Sequence, residues 1–432
     1  MSLITKKVKG TEDILPRDSY KWQFVEGIMR EESYNYGYKE IRTPVFEHTE
    51  LFSRGVGETT DVVQKEMYTF STKGDASITL RPEGTAGAAR ALLEHSLHNN
   101  GLPVKVSYFT TCYRYEKPQA GRQREFHQFG LECYGTSDPS ADAELICAAQ
   151  SVFDRLQIEG LRLEINSIGC PECRSKYHQA LKEYFQNYKG DLCETCLSRL
   201  ERNPMRILDC KSPVCSQIAD FAPKVLDYIC DDCREHFEGV KSYLDVAGIE
   251  YTVNPTIVRG LDYYTKTVFE FVSDRIGAQG TVCGGGRYDG LIEELGGQHL
   301  PSLGFAMGIE RLLLLMNACN IEIPESRKCD IYIATMGKNA QKKAFELISE
   351  LRTSGFYAEM DIVGRALRAQ MKYADKINAK FSVVIGDDEI NNCVATLKNM
   401  ESGDKFEVTL GDSFISDFMK IYIENFNDDF VI

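Results

Sequence analysis

Residues 109–135 read FTTCYRYEKPQAGRQREFHQFGLECYG, with charge on both sides of what the pattern predicts to be a hairpin. Arg114 ends one strand, Arg122 and Arg124 sit on the polar loop, and the chain returns through Gln128 and Glu132. An arginine facing inward from a sheet offers a planar fork to a phosphate or carboxylate; an ion pair with a neighbour such as Glu116 is the plainer alternative. Residues 81–85, RPEGT, join a strand to a helix and set Glu83 and Thr85 near a helix N-terminus, a place for a small ligand or simply a cap. Residues 258–271, VRGLDYYTKTVFEF, put Arg259 beside a glycine and then Tyr263 and Tyr264. Those rings suit either a pocket wall with hydroxyls aimed at a polar ligand or the edge of a core strand. Residues 283–291, CGGGRYDGL, bare their backbone to an approaching nucleotide or substrate, although glycine triplets also serve turns. Residues 304–315, GFAMGIERLLLL, place Glu310 and Arg311 early in an apolar helix. A cation there opposes the helix dipole and calls for an anion, a polyphosphate or a carboxylate across the core.

Cysteine supplies a second chemistry. Eight of the 15 cysteines fall between residues 168 and 241: the CxxC pairs Cys170 and Cys173, Cys193 and Cys196, Cys230 and Cys233, and the wider pair Cys210 and Cys215. The gap from Cys173 to Cys193 fits the ligand spacing of a structural zinc site. Four thiolates close one tetrahedral site and eight close two, with no open position for catalysis; free thiols in a variable insertion are the alternative.

These strings need elements to hold them. Helical spacing predicts a helix over 18–36, capped by Asp18 or Ser19, with a strand over 38–46 behind it. Strands follow over 78–80, 104–115 and 126–135, with a helix over 86–97; strands joined by a short loop imply an antiparallel sheet. After the Cys-rich insertion, strands over 267–272 and 279–286 resume the sheet, and 303–317 reads as one long apolar helix. Residues 321–328, with Pro324, form a linker. Beyond it, strands over 331–335, 357–362 and 381–385 alternate with helices over 339–354 and 365–378 as in a parallel α/β unit, with strands near Val394 and Phe406 and a last helix from Asp412.

The 432 residues are enough for two or three domains, and the composition excludes disorder, collagen and coiled coil. A formal charge of -14 argues against a surface that is basic everywhere, although a local patch can still attract phosphates. No apolar run approaches the roughly 20 residues that span a bilayer. Lys6, Lys7 and Lys9 precede no apolar stretch, so a secretory signal is not expected and the cytoplasm is.

Together these strings resemble the class II aminoacyl-tRNA synthetases, and among them the histidyl-tRNA synthetase family. Residues 18–46 resemble the dimer-forming first class motif, YRYEKPQAGRQREFHQFGLE the second and GFAMGIERL the third, while RGLDYY and GGGRYDGL are similar to histidine-specific strings. The resemblance implies an α+β catalytic domain over 1–325, an antiparallel class II synthetase sheet flanked by helices. A helical Cys-rich subdomain over 168–241 interrupts it, and an α/β anticodon-binding domain follows over 329–432. It also implies a cytoplasmic homodimer that ligates L-histidine to its tRNA through a histidyl-adenylate, using ATP with Mg2+. Arg114 and Arg259 would be catalytic, Arg114 and Arg311 would bind ATP, and Glu83, Thr85, Gln128, Glu132, Tyr263 and Tyr264 would bind histidine. Arg122 and Arg124 on the motif-two loop, and Arg365, Arg368 and Lys372 at helical spacing in the C-terminal unit, would meet tRNA. The alternative is a catalytically silent, synthetase-like regulatory subunit of histidine biosynthesis, in which such strings degrade.

Overall fold

The computed structural model describes residues 4–57, 60 and 62–426 and divides into two units, 1–324 and 325–432. Residues 1–3 and 427–432, at the outer bounds of the two expected domains, and residues 58, 59 and 61 lie outside the described residues.

Strand alternation builds the first unit. In Glu125–Tyr134, Phe129, Leu131 and Cys133 join the main apolar core, so the alternate residues Gln128 and Glu132 face the opposite side. The same alternation in Thr265–Val272 sends Phe269 and Phe271 into that core and Glu270 to the side of Glu132. The eight-stranded sheet runs Lys39–Glu40, Val104–Tyr113, Glu125–Tyr134, Ser302–Gly308, Thr281–Arg287, Thr265–Val272, Arg162–Ser167, Thr252–Val253. Its centre is antiparallel, and both edge pairs are parallel. Helices Pro16–Asn35, Pro139–Arg155, Asp231–Val246 and Ile309–Ala318 bury their apolar faces in the main core.

Three expectations need correction, and two elements were not foreseen. Residues 303–317 are not one helix: Ser302–Gly308 is a strand and Ile309–Ala318 the helix. Leu303, Phe305 and Met307 alternate into the core with Gly304, Ala306 and Gly308 between them, a period of two that suits a central strand, and glycine disfavours helix. The expected strand over 38–46 is two short strands, Lys39–Glu40 and Phe46–His48, in different sheets, with Pro44 between them. The first helix starts at Pro16 with Leu15 at its N-cap, because proline presets the first helical turn. Helix Pro139–Arg155 and strand Arg162–Ser167 had no sequence expectation.

The region 168–241 is helical, with Pro171–Gln186, Glu194–Arg202 and Pro213–Asp220 preceding Asp231–Val246. The second unit orders its strands Ala358–Met360, Ile331–Thr335, Phe381–Ile385, Val394–Asn399, Lys405–Thr409, the first three parallel and the rest antiparallel. Helices Lys338–Thr353 and Phe414–Asn425 share its apolar core, and Leu367–Lys376 packs through Ala374 beside Tyr332. Among the described residues no helix is long and apolar enough to cross a membrane.

Candidate active site

Glu132 is fully buried on the face of the sheet opposite the main core, behind Thr85, which lines a cavity of about 380 Å³. Its register partner on the next strand is Gly304, where any Cβ would collide with the carboxylate, so glycine makes the room Glu132 occupies. The carboxylate accepts hydrogen bonds from the hydroxyls of Thr85 at 2.7 Å and Tyr108 at 2.9 Å and from the phenol of Tyr288. Burial outweighs these donors and pushes its pKa up to about 8. Tyr263 and Tyr264 line the same cavity with rings 4.7 Å apart, and Tyr288 stands edge-on to Tyr263 at 5.3 Å. Gln128 also lines it and accepts from the Cys112 thiol at 3.3 Å. Glu83 accepts the backbone N–H groups of Thr85 at 2.7 Å and Ala86 at 2.9 Å, so it caps the helix Thr85–Glu94 and walls the cavity at once.

The same cavity carries a cluster of cations. Arg114, Arg122, Arg259 and Arg311 all line it. Arg114 does not pair with Glu116; its Nε donates to the Pro82 carbonyl at 2.8 Å and its guanidinium lies over the Phe126 ring at 5.3 Å. Arg122 takes the Glu116 pairing instead. Arg259 pairs with Glu270, which also accepts the Thr281 hydroxyl at 2.9 Å. Its guanidinium fills the space beside Gly284, so that glycine makes room for a side chain of the protein rather than for a ligand. Arg311 donates from Nε to Gly121 at 2.9 Å and from Nη1 to Thr281 at 2.8 Å. Burial, then the like charges of Arg114 and Arg122, depress its pKa, which marks a site that gains by taking up an anion. Glu310 also lines the cavity and accepts hydrogen bonds from the backbone and ring N–H of His127.

Glu270, Arg206 and Asp209 line the cavity, and Tyr108 and Tyr288 hold Glu132 behind it; all five escaped sequence reasoning. Tyr288 stood inside a quoted string, whereas Arg206 and Asp209 come from the insertion and had no local signal. Arg287 beside Tyr288 is structural: fully buried, it pairs with Asp142 and, at 3.2 Å, with Asp289.

The basic candidates divide. Arg124 donates to the Glu116 carbonyl at 3.1 Å and stacks on Tyr115. Arg365 lies before the helix Leu367–Lys376 and is tied to buried Asp361 at 2.7 Å and over Tyr373 at 4.5 Å, so it is no part of a helical basic face. Arg368 and Lys372 are exposed one turn apart on that helix.

The eight cysteines form two quartets, Cys170, Cys173, Cys230 and Cys233, and Cys193, Cys196, Cys210 and Cys215, each with sulfurs within 4.8 Å of one another. This corrects the pairing implied by the Cys173 to Cys193 gap, whose ends belong to different quartets. Cys170, Cys193 and Cys230 are each the N-cap of a helix whose third residue is the partner cysteine, a place where the helix dipole favours thiolate. Cys193 is held down at about 7, first by the backbone N–H of Cys196. The backbone N–H groups of Cys230 and Cys193 donate to the sulfurs of Cys173 and Cys215 at 3.0 and 3.3 Å. Sulfur separations of 3.5 Å for Cys170 and Cys173 and 3.9 Å for Cys193 and Cys210 are far beyond the ~2.05 Å disulfide bond. They lie close to the edge of about 3.8 Å of a tetrahedron with 2.3 Å metal–sulfur bonds, so either quartet can hold a soft metal ion.

A helix-backed antiparallel sheet with a cationic cleft between its second and third class motifs defines a class II aminoacyl-tRNA synthetase. The family model described as "Histidyl-tRNA synthetase" matches residues 10–172 and 216–312, and that described as "Anticodon binding domain" matches 330–415. The chain is 58% identical over 402 residues to the histidine--tRNA ligase of Clostridium novyi (strain NT), covering 93% of this chain and 96% of that one. It is 55% identical over 414 residues to the histidine--tRNA ligase of Acetivibrio thermocellus, covering 96% and 99%. The solved structure of apo S. aureus histidyl-tRNA synthetase superposes with a TM-score of 0.82 at 40% identity over 96% of this chain and 100% of that chain. The chain belongs to the histidyl-tRNA synthetase family.

Proposed function

We propose that this chain ligates L-histidine to its tRNA in two steps within the cavity described above, with ATP and Mg2+ entering as one substrate complex. The observation that carries this reading is a single cavity lined by Arg114, Arg259 and Arg311 together with Glu83, Thr85, Gln128, Tyr263 and Tyr264, with the buried Glu132 carboxylate bonded to Thr85 behind its wall. The histidine carboxylate attacks the α-phosphorus, and pyrophosphate leaves as the bond to the β-phosphate breaks. The 3′-terminal adenosine hydroxyl of tRNA then attacks the adenylate carbonyl, and AMP leaves. Arg114 and Arg259 hold the α-phosphate from two sides and meet the charge that grows on it, while Arg311 holds the far end of the triphosphate. Glu132, Tyr263 and Tyr264 take the imidazole; Glu83, Thr85 and Gln128 take the α-ammonium end. The regulatory-subunit alternative is disfavoured by this complete set.

Zinc is the metal we assign to the two cysteine quartets, because all-thiolate donors at tetrahedral separations suit it and leave no open position. It is structural and takes no part in the reaction. We assign homodimerisation to the 18–46 segment, supported by exposed Val45 and Phe46 beside exposed Phe70 on the small sheet Phe46–His48, Tyr68–Ser71, Ser77–Leu80. Anticodon contact falls to the 329–432 domain, and the reducing cytoplasm is the compartment in which eight such thiols persist. ATP/pyrophosphate exchange with each standard amino acid, without tRNA, tests the reading. Histidine alone should support exchange, and folded protein inactive with all of them would move the assignment to the regulatory alternative.

A further inference from the structure

The loop that carries Arg259, Tyr263 and Tyr264 is gripped by the insertion. Arg174, the residue after Cys173, donates from Nη1 to the carbonyls of Asp262 at 3.1 Å and Tyr264 at 2.9 Å. Arg206 lies in the turn Pro204–Ile207 between Cys196 and Cys210 and donates from Nη1 to the carbonyl of Arg259 at 2.9 Å. The carbonyl of Arg206 in turn accepts from Arg199 at 2.9 Å, on the helix that Cys193 caps. Asn203 adds a bond to the Asp262 carboxylate at 3.2 Å. Behind these contacts Cys173, Cys196 and Cys215 share one apolar core with Ile207, Tyr263 and Tyr264.

Both arginine grips therefore start from the segments that carry the cysteine quartets and end on backbone carbonyls of the active-site loop. A charged donor on a carbonyl is a strong bond, but it positions the loop only if the donor's own backbone is fixed. The segment between Cys196 and Cys210 holds one short turn and the end of one short helix, anchored by buried Leu200, Met205 and Ile207 but with little regular structure of its own. A metal held by Cys193, Cys196, Cys210 and Cys215 would add rigidity by joining the helix, the turn's exit and the helix Pro213–Asp220 at one point.

We infer that the two cysteine quartets, with Arg174 and Arg206, form a metal-set clamp on the 258–264 loop that fixes Arg259 and the two tyrosines in their catalytic positions. This rests on the zinc assignment above. Arg174 and Arg206 are positioning residues, acting through the carbonyls of residues that meet substrate. Arg206 governs Arg259, and hence the adenylation step; Arg174 governs Tyr264, and hence histidine.

The test uses the full chain as purified, with zinc as the probe. Zinc is counted by plasma emission, and backbone hydrogen exchange over 258–264 is followed by mass spectrometry. Samples are the isolated protein, protein stripped by a thiol-directed mercurial with chelator and then reduced, and stripped protein given zinc. Arg174→Gln, Arg206→Gln and Arg206→Lys, which retain every cysteine, run alongside. We expect one zinc per quartet, loop exchange about tenfold faster on stripping, and reversal on zinc return. Both Gln variants should keep their zinc and thermal midpoint yet exchange the loop about tenfold faster. Arg206→Gln should lower kcat for adenylate formation about tenfold or more with KM for histidine little changed, and Arg206→Lys should restore part of it. Arg174→Gln should mainly raise KM for histidine. Zinc-bearing protein whose loop ignores both stripping and the Gln substitutions overturns the clamp and leaves the zinc assignment standing. Protein folded without zinc overturns the metal's role, and unchanged loop exchange in the Gln variants overturns that of the arginines.

Discussion

Thr85 donates its hydroxyl hydrogen to the Glu132 carboxylate at 2.7 Å, joining the first turn of one helix to the middle of a strand 47 residues away. That bond, with those from Tyr108 and Tyr288, holds a buried carboxylate whose pKa burial has pushed up to about 8. A folded-state pKa above the ordinary value of 4.5 means that the ligand-free native state binds the proton more tightly than the unfolded chain. Stability from this group is therefore complete below about 4.5 and is lost as pH rises through about 8. Replacing Glu132 with Gln should flatten the fall in stability between pH 5 and 8, read from denaturant midpoints across that range. An unchanged profile would mean that Glu132 is ionised in the native protein.

The Glu132→Ala variant should weaken histidine far more than ATP. Removing the carboxylate proposed to meet the imidazole leaves Tyr108, Tyr288 and Thr85 without their acceptor, so the loss should be about a hundredfold or more in KM for histidine. In the proposed site ATP meets Arg114, Arg259 and Arg311, so its KM should move by less than about threefold. Equal losses for both substrates would show that the variant has collapsed the cavity.

Arg259→Ala removes a cation from the place where negative charge grows, and should cost about 10² or more in adenylate formation. Its partner Glu270 keeps the Thr281 hydroxyl and faces a cavity, so the change in thermal midpoint should be only a few degrees, of order 1 kcal/mol. Pre-steady-state adenylate formation and a melting curve on the same preparation separate the two. A large loss of stability would make the Arg259–Glu270 pair chiefly structural.

Physical reasons decide how far the sequence reading reached. Glu132, Arg114, Arg259 and Arg311 stood in strings that each suited a structural role as well, so it was the family resemblance that grouped them; Arg114, Arg259 and Arg311 line one cavity and Glu132 sits behind Thr85 in its wall. Tyr108 and Arg206 could not be expected: a tyrosine inside an apolar strand and an arginine inside a polar insertion have many structural uses, and only tertiary placement selects one. The strand Ser302–Gly308 was hidden because its apolar residues run directly into the apolar helix Ile309–Ala318, merging two periods into one run. The cysteine quartets were countable but not assignable, since pairing depends on which helix ends meet. Arg365 matched a helical period until buried Asp361 claimed it.

Metal removal separates the two quartets. The first joins the N-termini of Pro171–Gln186 and Asp231–Val246, and the second helix packs through Phe237, Val240 and Leu244 into the main core. The second quartet ties only short elements. Cys230→Ser should therefore lower the global midpoint, while Cys210→Ser should chiefly admit protease between residues 187 and 220 with a smaller global effect. Limited proteolysis with calorimetry reads both, and equal global loss from either would show that the insertion unfolds as one unit.

Charge on the C-terminal unit should matter to tRNA and not to amino-acid activation. Arg368 and Lys372 are exposed on one helix face, whereas Arg365 is already committed to Asp361. If the exposed pair meets phosphates, Arg368→Ala with Lys372→Ala should raise KM for tRNA about tenfold and make log KM less steep in log salt by about one to two units. ATP/pyrophosphate exchange, which needs no tRNA, should be unchanged. Arg365→Ala should act differently, lowering stability by about 1 kcal/mol because buried Asp361 loses its partly exposed counter-ion, with little change in the salt slope. A salt slope that responds to Arg365 and ignores the exposed pair would move the tRNA surface off this helix and onto the turn before it.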